Sequence, residues 1–199
     1  MIQSDHYKTI EGTAQGIYKE KGSKFIALAF HSETEEEAKQ QLSAVKKEYH
    51  DARHHCYAFR INPENEFFRS SDDGEPSGTA GKPILNQIFS EELFNVQVVV
   101  VRYFGGTKLG VSGLIRAYKT ATRDALQHAK IITSAITRTI ELEFEYPLMN
   151  QVMRVVKEDH VKVLKQDFNL NCKLVLQVER NQKKKLIEKF RTVTGLTVK

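Results

Sequence analysis

Cysteine is scarce in this 199-residue chain, tryptophan is absent and proline occurs four times. Cys56 and Cys172 stand far apart and in no Cys-x-x-Cys or Cys/His ligand spacing, which gives neither a disulfide framework nor a zinc site. They read as plain buried thiols. Long apolar runs are missing too: nothing approaches the roughly 18 residues a membrane helix requires. The opening MIQSDHYKTIEG has neither the basic nor the apolar region of a cleaved leader. A cytoplasmic protein with no membrane partner is expected. With 11 glycines, 40% hydrophobic and 28% charged residues, the composition excludes collagen-like, low-complexity and disordered classes. No internal repeat is present.

Neither sign of charge dominates, with 30 Lys+Arg against 25 Asp+Glu, but the excess is uneven. Residues 1–139 hold 18 basic and 17 acidic side chains, whereas residues 140–199 hold 12 and 8, including the run Lys183, Lys184, Lys185. That run admits phosphate contact with RNA, or simply a solvated helix face.

Alternating apolar residues predict a hairpin from strands over Thr9–Tyr18 and Ser23–Phe30. Ser32 and Glu35 form a capping-box signature ahead of an amphipathic helix over 33–49. A strand over His54–Ile61, a turn at Asn62–Asn65 and a strand over Glu66–Ser71 follow, then a helix over Ile84–Phe94. The run VQVVVVRY within Val96–Tyr103 carries apolar residues on both faces, as a doubly covered central strand should. A helix over Ser112–Ala129 comes next. The last sixty residues spell strand, helix, strand, strand, helix, strand, the βαββαβ order of a ferredoxin-like unit. The fold class is therefore α+β in two domains, residues 1–135 and 136–199.

Two glycine-bearing loops could carry chemistry. In RYFGGTKLGVSGL, the adjacent Gly105 and Gly106 permit close backbone approach, and the amides of the following helix favour an anion. Thr107 and Lys108 lie in that loop, with Arg102 and Arg116 nearby. Val111-Ser112 stands where a Walker A loop requires Lys-Ser/Thr, so this is no P-loop, and a tight strand-to-helix connection is the plainer reading. In DDGEPSGTAG, the carboxylates of Asp72, Asp73 and Glu75 could gather around Mg²⁺. With Ser77 and Thr79 they could equally bond the loop's own amides. His54 and Cys56 share one side of a strand, but no nucleophile signature surrounds Cys56, and a supporting histidine is the default reading.

KGSKFIA (Lys21–Ala27), ARHHCYA (Ala52–Ala58), DDGEPSGTAGKPIL (Asp72–Leu85), VVVVRYFGGTKLG (Val98–Gly110) and GLIRAY (Gly113–Tyr118) together resemble the YigZ/IMPACT family over essentially the whole chain. Ser112 departs from the family pattern, which usually has glycine there. The resemblance implies an N-terminal IMPACT domain similar to domain IV of elongation factor G, and a C-terminal ferredoxin-like domain similar to its domain V. It also implies binding to RNA or the ribosome, or a protein partner in translational control. The family motif loop is then Asp72, Asp73, Gly74, Glu75, Pro76, Ser77, Gly78 and Thr79, with His54 beside it. The resemblance supplies no catalytic residue.

Two hypotheses follow. The first is a non-catalytic, monomeric translation-associated protein without cofactor or metal, contacting RNA through Arg102, Gly105, Gly106, Thr107, Lys108, Arg116 and Lys183–Lys185. The second is a metal-dependent enzyme on a phosphorylated or nucleotide substrate, with Asp72, Asp73 and Glu75 as metal ligands and Lys108 or the Gly105–Gly106 amides as phosphate holders. A protein-interaction module is the third, plainer possibility.

Overall fold

A computed structural model describes residues 4–199. Its first apolar stretch is broken at Gly12, whose φ of +73° no ordinary strand residue adopts. The break separates β1 (His6–Glu11) from β2 (Thr13–Glu20), and β2 turns through Lys21-Gly22 into β3 (Ser23–His31). Helix α1 (Glu35–Glu48) follows, then β4 (His54–Ile61), β5 (Phe67–Ser71), α2 (Gly81–Ser90), β6 (Val96–Tyr103), α3 (Gly110–His128) and β7 (Lys130–Ala135). These elements lie in a unit spanning Tyr7–Ser134 apart from their outermost residues, while Ser4–His6 joins Ala135–Lys199 in a second unit.

The first unit is built on a five-stranded sheet in the order β2-β3-β6-β4-β5, every neighbouring pair antiparallel. Strand β6 sits at its centre because its valines serve two cores. Val96, Val98 and Val100 join Phe25, Ala27, Cys56 and Ala58 beneath α2 and α3. Val99 and Val101 face the other way, onto Ile26 and Val45 of α1. Helix α3 comes so close to β2 that a Cβ on Gly16 would stand 2.2 Å from the backbone nitrogen of Ala125. The Asp124 carboxylate ties the same crossing by accepting the Ile17 N–H at 2.8 Å.

Several elements differ from the sequence expectation, α2 ending at Ser90 and α3 starting at Gly110 among them. Ser32 does not cap α1: its N–H is held by the Asn95 carbonyl and its hydroxyl turns to Gln41, so the helix starts later, behind Thr34. The Thr34 hydroxyl accepts the Glu37 N–H at 3.2 Å. Helix α2 begins at Gly81, three residues before Ile84, because the Asp72 carboxylate accepts its first amides. Strand β7, unforeseen, pairs with β1.

The second unit runs β8 (Thr137–Glu145), a 3-10 turn at Tyr146–Leu148, α4 (Met149–Glu158), β9 (Lys162–Phe168), β10 (Asn171–Glu179), α5 (Lys183–Arg191) and β11 (Thr197–Val198). Its sheet order is β11-β8-β10-β9, antiparallel throughout, which is the ferredoxin-like arrangement. Ile140, Leu142, Phe144, Leu174 and Leu176 pack beneath Val152, Val156, Leu186 and Phe190 of the two helices. The opposite face of β8 and β10 carries Thr139, Glu141, Glu143, Glu145, Lys173, Val175 and Gln177. Among the described residues no helix is long and apolar enough to cross a membrane.

Candidate functional site

The three acids of DDGEPSGTAG have three different tasks. Asp72 closes its own loop: its carboxylate accepts the N–H groups of Gly78 at 2.8 Å, Ala80 at 3.0 Å and Gly81 at 2.8 Å. Burial pushes its pKa up, but these three amide donors outweigh that and hold it below the usual carboxylate range. Asp73, at a φ of +41°, accepts the His55 N–H at 2.7 Å through its carboxylate and lies 3.4 Å from Lys46 Nζ. The Asp73 carbonyl stands 2.9 Å from His54 Nδ1, which must carry the proton to face a carbonyl. His54 thus supports the loop, its ring lying beside Gly74.

Glu75 turns inward. Its Oε1 accepts from Arg102 Nη1 at 2.6 Å and from the Tyr118 hydroxyl at 2.8 Å, and the Glu75 and Arg102 side chains are 3% and 8% exposed. The Cys56 thiol lies 3.2 Å from the Tyr118 oxygen and 2.9 Å from the Asp72 carbonyl, extending the network to β4. Burial pushes the Cys56 thiol up to about 12, with the neighbouring carboxylates adding to the effect. Burial likewise raises the Tyr118 phenol. A nucleophilic cysteine needs the thiolate, so Cys56 is a packed thiol with a hydrogen-bonding task. Among the described residues no cluster of three or more His, Cys, Asp or Glu is arranged to hold a metal ion.

The second loop shows why two separated motifs belong together. A Cβ on Gly105 would stand 1.9 Å from the Gly22 carbonyl carbon, so the backbones of KGSK and FGG are in direct contact. The Gly105 N–H donates to the buried Ser23 hydroxyl at 3.1 Å. Beyond that contact the loop opens: Gly106 has φ +85° and Gly110 φ +73°, both free of neighbours where a Cβ would stand. Thr107 and Lys108 are exposed, and α3 starts without a side-chain cap on its amides.

Of the three candidate cations around this loop, Arg102 is therefore buried against Glu75, and Arg116 is exposed with Nη2 against the Glu20 carboxylate. Lys108 alone of the three reaches solvent without an ion pair among the described residues. Pro76 and Ser77 form the exposed tip of the acidic loop, and the Thr79 hydroxyl bonds back to the Pro76 carbonyl at 2.6 Å. In the second unit, Lys184 and Lys185 are exposed at the start of α5 and Lys183 is partly so. Sequence reasoning missed Tyr118 as a partner of Glu75. Its place on the apolar stripe of α3 marks it as core and says nothing of where its hydroxyl goes.

An α+β domain knit by a self-tied acidic loop and a buried Glu-Arg-Tyr-Cys network, in a chain that also carries a ferredoxin-like unit, defines the class of protein. The Impact N-terminal domain matches residues 21–126, more than half of the chain. The chain belongs to the IMPACT family. It is similar to an IMPACT family member of Haemophilus influenzae, 38% identical over 175 residues that cover 85% of this chain and 82% of that one. It is also similar to the IMPACT family member YigZ of Escherichia coli, 34% identical over 150 residues and 74% of each chain. A crystal structure described as that of a hypothetical protein superposes with a TM-score of 0.78 at 27% identity, covering 98% of this chain and 97% of that one.

Proposed function

We propose that this protein is a non-catalytic, translation-associated factor that binds structured RNA or the ribosome through phosphate contacts. The observation that carries the reading is the Gly105–Gly110 loop: a solvent-facing Lys108 without an ion pair among the described residues, beside the uncapped amides of a 19-residue helix. Lys183–Lys185 add a second basic surface within residues 140–199, where 12 basic side chains stand against 8 acidic. The family's resemblance to domains IV and V of elongation factor G supports the same reading. The open face of β8 and β10 presents no aromatic and four glutamates, Glu141, Glu143, Glu145 and Glu179, so base stacking on those two strands is not the mode of contact. Affinity then comes from cations and backbone amides and is sensitive to salt.

The metal-dependent alternative is disfavoured by the same geometry. Asp72 and Glu75 are occupied by amides, Arg102 and Tyr118, and releasing them would dismantle the loop.

Sucrose-gradient sedimentation of tagged protein in lysate, at low and high salt with sequencing of co-purified RNA, tests this. Comigration with ribosomal particles at low salt, weakened by Lys108→Ala and lost at high salt, is the expected result. Migration as free protein without RNA at low salt overturns it.

A further inference from the structure

A second surface feature of the first unit takes no part in the contacts above. Helices α2 and α3 leave between their outer faces a cleft of about 660 Å³, within the size range of small-molecule sites. Its lining includes Lys82 from α2 and Lys119 and Arg123 from α3, and no carboxylate. None of the three cations forms an ion pair among the described residues. Positions 119 and 123 are one helical turn apart on α3 and continue the line of Ile115, so charge occupies one end of a stripe and an apolar side chain the other. Pro83 adds apolar surface from the facing helix.

Three like charges gathered along a seam repel one another unless an anion joins them. The remaining polar group says what else the ligand contains. Gln87 lines the cleft and is 6% exposed, and its Nε2 donates to the Ser90 hydroxyl at 2.7 Å. That hydroxyl in turn donates to the Gln87 carbonyl at 2.9 Å, leaving Gln87 Oε1 buried with no donor. A buried acceptor left without a donor is costly, and a ligand that carries a donor group besides its phosphate would supply one. A planar organic body with an amino group would satisfy Gln87 and cover Ile115 and Pro83, while its phosphates meet the cations.

We infer that the α2–α3 seam is a binding cleft for a phosphorylated nucleoside, with Lys82, Lys119 and Arg123 on the phosphates and Gln87 on an amino group of the base. The nucleotide arrives either free or as the 5′-phosphorylated end of an RNA strand. This site shares no residue with the Lys108 and Lys183–Lys185 surfaces, so it stands or falls separately from the ribosome reading.

The test is calorimetric titration of the full chain with AMP, inorganic pyrophosphate, and a 5′-phosphorylated adenosine-rich hexaribonucleotide beside its 5′-hydroxyl counterpart. Wild type is compared with Lys119→Gln/Arg123→Gln and with Lys47→Gln on α1, outside both surfaces, all at exposed positions, their folding verified by thermal unfolding. AMP or the 5′-phosphorylated strand is expected to bind, at least tenfold more weakly to the double variant and unchanged with Lys47→Gln. Binding of AMP identifies a free nucleotide as ligand, and binding of the phosphorylated strand alone identifies an RNA end. Equal affinity in the double variant, pyrophosphate binding as tightly as AMP and the strand, or no binding at millimolar concentration overturns the inference.

Discussion

Glu75 shows how much of the family motif is structural. Its charge is buried, and it is kept there by one guanidinium and one phenol. Removing one partner of such a pair leaves the other as an uncompensated buried charge, at a cost of about 3–5 kcal/mol. Glu75→Gln keeps the shape and an acceptor for Tyr118 but strands the Arg102 cation, so urea unfolding should show a loss of that order. Adding Arg102→Met should restore most of it, because replacing a buried pair by apolar groups is often neutral. A double variant as unstable as the single one would show that the pair is not what Glu75 supports. The self-capping of Asp72 was legible in the sequence, since Asp before Gly and Ser/Thr bonds nearby amides by local rules. The inward turn of Glu75 was not. Its partner Arg102 is 27 residues away on β6, and nothing in the three-acid run distinguishes the one that is buried from the two at the loop surface.

At the scale of elements, period was the reliable guide. The valine run became the central strand and the βαββαβ pattern the ferredoxin-like sheet, because side-chain alternation is a local consequence of burial. What failed was set by distant partners: β7 exists by pairing with β1, more than a hundred residues earlier, and Ser32 is diverted from capping by Asn95. The glycines carry a related, long-range message. Gly105 reads as a loop glycine, yet its necessity comes from the backbone of Gly22, against which a methyl group would stand at 1.9 Å. No side-chain rotation relieves a contact with backbone, so the two turns must part. Gly105→Ala should therefore destabilise the first domain by several kcal/mol. Gly106→Ala, at an open position, should cost only the strain of its positive φ, about 1–2 kcal/mol. Thermal unfolding of the two variants checks the order, and equal losses would mean that the Gly22 contact yields easily.

For the molecule as a whole, the distribution of charge decides which surfaces can meet a polyanion. Five excess positive charges on 199 residues would attract RNA weakly and without direction if they were spread evenly. They are not. Many basic side chains are neutralised in place, Arg102 by Glu75, Arg116 by Glu20 and Lys189 by Asp159, which leaves Lys108, Lys184 and Lys185 among those facing solvent without an ion pair to any described residue. Each phosphate neutralised by a lysine releases counterions, and the slope of log affinity against log salt counts such contacts at about 0.7–0.9 per phosphate. Binding to purified ribosomes measured across a salt series should therefore lose about one from its slope with Lys108→Gln and about two with Lys184→Gln/Lys185→Gln. Arg116→Gln, whose charge is already met by Glu20, should change it by less than Lys108→Gln. If the slope is the same in all four proteins, the cations at the Gly105–Gly110 loop and on α5 do not touch phosphate, and binding must run through another face of the molecule.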